Sequence, residues 1–136
     1  MVIDANLLVV ILTGDERRDR VVEQFVTWLD QRVELHAPVL AQYEVVNALT
    51  RLVATGTMKS ETAELACSDL FLLPIQYQRL RNAERVLEIS LRLKRKTAHD
   101  AAYLALAEEL STELWTLDGP LYRNASQLGF PVRLLL

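Results

Sequence analysis

Val2-Ile3-Asp4-Ala5-Asn6-Leu7-Leu8-Val9-Val10-Ile11-Leu12 is the stretch on which the fold turns. Two β-branched residues begin a short strand, an acid interrupts, and an apolar run continues as a helix that ends at Gly14. The same handover recurs along the chain. Val33 to Ala37 reads as a second strand, closed by Pro38, which suits the first turn of the next helix. Leu73 to Tyr77, Glu113 to Leu117 and Val132 to Leu135 complete a set of about five strands.

Helical spacing fills the gaps. Asp15 to Gln31 is expected to be an amphipathic helix with Val22, Phe25, Val26 and Leu29 on its apolar side. A helix from Pro38 to about Thr55 stops at Gly56. Further helices are expected over Ser60 to Leu72, Arg79 to Leu93 and His99 to Leu110, with a short one after Pro120. Strands alternating with helices of this length imply an α/β fold, a central parallel sheet covered on both faces. No linker, repeat or low-complexity tract divides residues 1–136, so a single domain is expected.

Composition narrows the function. With 51% hydrophobic residues the chain is not disordered, and the longest pure apolar run, Leu7 to Leu12, is too short to cross a bilayer. Asp4 stands where a signal peptide would carry basic residues, and Cys67 has no partner for a disulfide; a reducing, cytoplasmic setting is expected. The net charge of −3 would not draw nucleic acid to the protein as a whole, so such binding needs local basic residues or a cation.

In an open parallel sheet, ligands bind beyond the carboxyl ends of the strands, at the switch point. Asp4 and Asp118 both fall at such ends, where each could equally cap the following helix. Asp100 flanks the stripe Tyr103, Leu106, Ala107 and Leu110, and Thr97-x-x-Asp100 also has the form of a capping box. Ala101, Ala102 and Ala105 would let that helix approach its neighbours closely. Glu44 is different. The apolar stripe expected for its helix is Val39, Tyr43, Val46, Leu49 and Val53, and Glu44 points away from it, on a polar strip with Asn47 and Arg51. Periodicity alone reads that strip as solvated.

Other chemistries lack their residues. There is no Gly-rich phosphate loop and no Gly-x-Ser-x-Gly elbow, and two histidines with one cysteine cannot form a structural zinc site. An oxygen-rich set of acids suits Mg²⁺ or Mn²⁺. Arg92, Lys94, Arg95 and Lys96 precede Asp100; they either favour the carboxyl end of a helix or contact phosphate. Trp28 and Trp115 read as core or interface residues rather than stacking platforms. A phosphoacceptor receiver domain would need an acidic pair after the first strand and a late strand-end lysine, and neither is present.

Four short stretches together resemble the PIN domain, in particular the VapC-like branch of toxin–antitoxin ribonucleases. They are Val2-Ile3-Asp4-Ala5-Asn6, Tyr43-Glu44-Val45-Val46-Asn47-Ala48-Leu49, His99-Asp100-Ala101-Ala102-Tyr103-Leu104-Ala105-Leu106-Ala107 and Trp115-Thr116-Leu117-Asp118, in that order over nearly the whole chain. The resemblance implies a three-layer α/β/α sandwich and a divalent-metal endoribonuclease with Asp4, Glu44, Asp100 and Asp118 as its catalytic, metal-holding acids. It is the resemblance, not periodicity, that brings Glu44 into this set. Asn6, Asn47 and Thr116 would then hold carboxylates or waters in place. It also implies an RNA substrate, a homodimer and an antitoxin that presents a basic side chain to the acids. Helices around Val22 to Leu29 and Val45 to Val53 are the expected contact surfaces. A housekeeping RNA-processing PIN nuclease and a non-catalytic PIN-like binding module are the alternatives. His99 departs from the family's usual aromatic or polar residue and is read as a bystander.

Overall fold

The computed structural model describes residues 1–136. Its elements run β1 (Val2–Ile3), α1 (Ala5–Leu12), α2 (Arg18–Asp30), β2 (Leu35–Pro38), α3 (Leu40–Ala54), α4 (Ser60–Leu70), β3 (Ile75–Gln78), α5 (Ala83–Leu93), α6 (His99–Glu109), β4 (Leu114–Thr116), α7 (Gly119–Gln127) and β5 (Val132–Leu134). The five strands form one sheet in the order β3-β2-β1-β4-β5, every pair parallel. The expected α/β fold is the one observed.

The topology follows from handedness. The chain leaves β1 toward β2 and β3, then returns across the sheet to β4 and β5. Parallel crossovers are right-handed, so reversing direction moves the connecting helices to the opposite face. Accordingly α1, α2, α3 and α4 pack on one another in one layer, and α5 packs on α6 in the other. Asn124 of α7 donates to Leu93 O of α5 at 2.9 Å, which ties α7 to that second layer. The result is a three-layer sandwich. Its switch point is the β1–β4 pair, where Val2 lies opposite Leu114 and Ile3 opposite Trp115.

One cluster of 30 buried apolar residues fills both interfaces, and Val2, Ile3, Leu7, Leu8, Leu104 and Leu114 in it are fully buried. Burial on both faces is why the central strand β1 reads as a purely apolar pair, while the edge strand β3, Ile75–Gln78, alternates apolar and polar residues. Trp28 and Trp115 meet edge to face at 5.3 Å between ring centroids, as core residues do.

Several boundaries differ from the sequence expectation. The helix expected from Asp15 begins at Arg18, because Asp15 accepts from the Arg17 N–H at 2.8 Å and pairs with its guanidinium, closing a turn instead. Its buried side is Val21, Phe25 and Trp28; Val26 and Leu29 are exposed and Val22 is half-buried. Pro38 ends β2 rather than opening α3, and Val39 N–H bonds Gln78 O of β3 at 2.9 Å. The helix expected from Arg79 starts at Ala83, where the Asn82 side chain accepts from Arg85 N–H at 3.0 Å. In α3 the buried residues are Ala41, Val45 and Leu49, while Tyr43 and Val46 are exposed. That last shift, of less than a turn, decides where Glu44 points.

Candidate active site

Asp4 follows β1 directly. Its N–H bonds Trp115 O at 2.9 Å, so the β1–β4 ladder still holds the backbone where the side chain leaves it. Asp4 occupies the cap position of α1 but makes no capping bond. Its Oδ2 instead accepts from Thr116 Oγ1 at 2.7 Å and from Asn6 Nδ2 at 3.1 Å. Asn6 Nδ2 also donates to Thr116 Oγ1 at 3.1 Å, and Asn6 Oδ1 accepts from Leu117 N–H at 3.2 Å. Thr116 is fully buried, and its hydroxyl also accepts from Asp118 N–H at 3.0 Å. One small polar network thus ties the ends of β1 and β4 together.

Asp118 follows β4 and does cap α7: its Oδ1 accepts from Leu121 N–H at 2.9 Å. Asp100 lies in the first turn of α6, but the capping box does not form. Ala98 takes the cap position without a side-chain bond, and Thr97 O accepts from the buried Ser90 Oγ at 3.2 Å. Asp100 Oδ2 is instead 3.5 Å from Arg95 Nε. Glu44 is turned inward, its Oε1 accepting a short hydrogen bond from the Tyr103 hydroxyl, and its Oε2 lies 4.0 Å from His99 Nδ1.

The electrostatics link these groups. Burial pushes the Asp4 carboxyl up to about 7, and the nearby charges of Glu44 and Asp100 add to the rise while Thr116 and Asn6 oppose it. Asp100 is also raised, first by burial and then by Asp118, against the pull of Arg95 and His99. Burial, followed by the charges of Asp4 and Glu44, raises the Tyr103 hydroxyl. No three of the acids and histidines close into a ready ligand set. The donor set itself is all oxygen and suits a hard divalent cation.

The other expected residues divide. Arg95 reaches Asp100. Arg92 turns away, donating to Leu128 O at 3.1 Å and lying 4.7 Å over the Phe130 ring. Lys94 closes α5 in the left-handed conformation and, like Lys96, is exposed. Asn47 is exposed as well, with no bond to the acids. Sequence reasoning placed Tyr103 only on an apolar stripe. The overlooked signal was its hydroxyl, which a buried tyrosine commonly pairs, although that of Tyr77 stays unpaired.

A cavity of about 640 Å³ lies beside the acids rather than on them, between α5, α6 and the segment after β3. Its acids are already matched: Glu108 holds Arg85 at 2.8 Å and Glu109 holds Arg81 at 3.4 Å. His99 at its rim is its link to Glu44.

Comparison with known proteins bears on this geometry. Residues 1–126 match the family model described as PIN domain. Over 134 residues the chain is 32% identical to Ribonuclease VapC3 of Pyrobaculum aerophilum, covering 96% of this chain and 98% of that protein. The crystal structure of PAE2754 from the same organism superposes with a TM-score of 0.69 at 21% identity, covering 90% of this chain and 77% of that one. The last likeness is one of fold.

Proposed function

The chain belongs to the PIN domain family, and on that premise we propose that it is a divalent-metal-dependent endoribonuclease centred on Asp4, Glu44, Asp100 and Asp118. The observation that carries this reading is how the four carboxylates are engaged. Each has one oxygen engaged: Asp4 Oδ2 by hydrogen bonds from Thr116 and Asn6, Glu44 Oε1 by one from Tyr103, Asp118 Oδ1 by one from Leu121 N–H, and Asp100 Oδ2 by the ion pair with Arg95 at 3.5 Å. The second oxygen of each takes no side-chain donor within hydrogen-bond distance. Protein donors on one oxygen hold a carboxylate's orientation while leaving the other for a ligand, which is how ligating carboxylates are set.

Those second oxygens are the ones that would hold Mg²⁺ or Mn²⁺. When bound, the cation supplies a water of lowered pKa and offsets the charge that grows on the phosphoryl oxygens. Asn6 and Thr116 keep Asp4 aimed from the sheet edge, so little reorganisation is needed when substrate arrives. Arg95 is the one member of the basic set placed to meet the substrate phosphate, once Asp100 has a cation to face. This also answers the objection of a net charge of −3: attraction of RNA is local.

The test is cleavage of a labelled single-stranded RNA. Activity is expected to stop in EDTA and to return with Mg²⁺ or Mn²⁺, and full activity in chelator would overturn the metal reading. In a parallel binding titration, Arg95→Ala is expected to weaken RNA binding and to lower the slope of log affinity against log salt by about 1. An unchanged slope would remove Arg95 from the phosphate path.

We place the protein as the toxin of a toxin–antitoxin pair that acts as a homodimer, a reading supported by the likeness to Ribonuclease VapC3. Exposed Val26 and Leu29 of α2 and Tyr43 and Val46 of α3 lie in one helical layer and offer apolar contact surface. Expressed alone, the chain is expected to arrest growth, and the product of the neighbouring gene to relieve the arrest. Unimpaired growth would return the reading to a processing nuclease, and a monomer mass by light scattering would remove the homodimer. No helix is long and apolar enough to cross a membrane.

A further inference from the structure

We propose that Tyr103 is the positioning residue for Glu44: its hydroxyl holds one carboxylate oxygen and turns the other toward the acidic centre. The inference rests on the acid-centre reading above. Its first support is geometric. Tyr103 lies on α6 and Glu44 on α3, 59 positions apart, and the hydroxyl donates to Glu44 Oε1. Tyr103 is 1% exposed, whereas the Glu44 side chain is 30% exposed, so the donor is rigid and the acceptor has an alternative in solvent. Without that donor, a glutamate with three rotatable bonds gains entropy and hydration by turning outward.

The second support is the set of partners each carboxylate has. Asp4 has Thr116 and Asn6, and Asp118 has a backbone N–H, all from residues next to the sheet edge. Glu44 sits on a helix outside the β1–β4 network and hydrogen-bonds none of these groups. Tyr103 is the one hydrogen-bond donor that fastens it, since His99 stands off at 4.0 Å. The ring itself belongs to the core with Ala101, Leu104 and Ala107 of α6, so only the hydroxyl is left for this task. Oε2 is then the Glu44 oxygen left without a protein donor.

The test is Tyr103→Phe, which keeps the buried ring and deletes the hydroxyl. Mn²⁺ affinity by calorimetry is expected to fall about 10-fold, the lower end for losing a residue that orients a metal ligand. Far-UV circular dichroism should stay that of the parent. In a Glu44→Gln background the same change is expected to cost no further affinity, because Tyr103 acts through that carboxylate. An equal loss in both backgrounds would mean a structural role, and undiminished Mn²⁺ binding would overturn the proposal. A crystal structure of metal-free Tyr103→Phe separates this inference from its premise. Glu44 turned to solvent supports it and an unmoved carboxylate overturns it, whether or not the parent protein binds Mn²⁺. Failure of the parent to bind any Mn²⁺ would instead strike the acid-centre reading.

Discussion

Asp4→Asn is expected to abolish RNA cleavage, lowering the rate by about a thousandfold, while the protein folds as before. The magnitude follows from losing several kcal/mol of charge stabilisation, at about 1.4 kcal/mol per tenfold. The fold survives because asparagine keeps the shape and one carbonyl oxygen. That oxygen can still accept from Thr116 Oγ1 and Asn6 Nδ2, the two donors that hold Asp4 Oδ2. What is lost is the charge facing the centre. Asp100→Asn should behave alike, since its carboxylate interacts with both Asp4 and Asp118. Single-turnover rates beside circular dichroism spectra decide the matter, and a folded variant within tenfold of the parent rate would count Asp4 out of the chemistry.

The second large effect concerns stability in the absence of metal. Asp4 has its carboxyl raised from 3.8 to about 7, mainly by burial and then by Glu44 and Asp100, so the folded protein keeps that proton to a higher pH than the unfolded chain. Below pH 4 both states hold it and Asp4 costs nothing. Between about pH 4 and 7 the folded state binds more protons, so stability falls as pH rises, and above 7 the penalty is complete. A carboxyl raised that far costs the folded state at most about 4 kcal/mol. In EDTA, Asp4→Asn should therefore be more stable than the parent at pH 8 and lose that advantage by pH 4. Mn²⁺ should stabilise the parent at pH 8 by binding the folded state and do little for the variant. Denaturant unfolding across that range measures both, and a constant difference between the two proteins would show that Asp4 is not strained by burial.

Much of this was open to reading from residues alone. The alternation of apolar strands with helices of a few turns needs only local periodicity, and it predicted the parallel α/β sheet. Asp4 and Asp118 were legible as strand-end acids because a parallel sheet has one edge where ligands gather. The caps were less so. Asp118 caps its helix and Asp4 does not, although both follow a strand, because Thr116 and Asn6 compete for the Asp4 carboxylate. Thr116 lies 112 positions away, beyond any local rule.

Glu44 marks the limit most clearly. A stripe that counts Tyr43 and Val46 as buried turns Glu44 to solvent, and only the match to a family motif brought it back. In the folded protein Ala41, Val45 and Leu49 face the core, and Tyr103 draws Glu44 inward. Periodicity cannot tell an exposed tyrosine from a buried one, since both are apolar in a helical pattern. Likewise the run Arg92, Lys94, Arg95, Lys96 is one charge cluster in the sequence, yet Arg92 packs on Phe130 and Arg95 faces Asp100. By itself the sequence determined the strands, the helices and which acids end strands, because these depend on neighbours within a turn or two. Tertiary structure alone decided which side chains meet, because a hydrogen bond across 59 or 112 positions exists only once the sheet and both helical layers have closed around it.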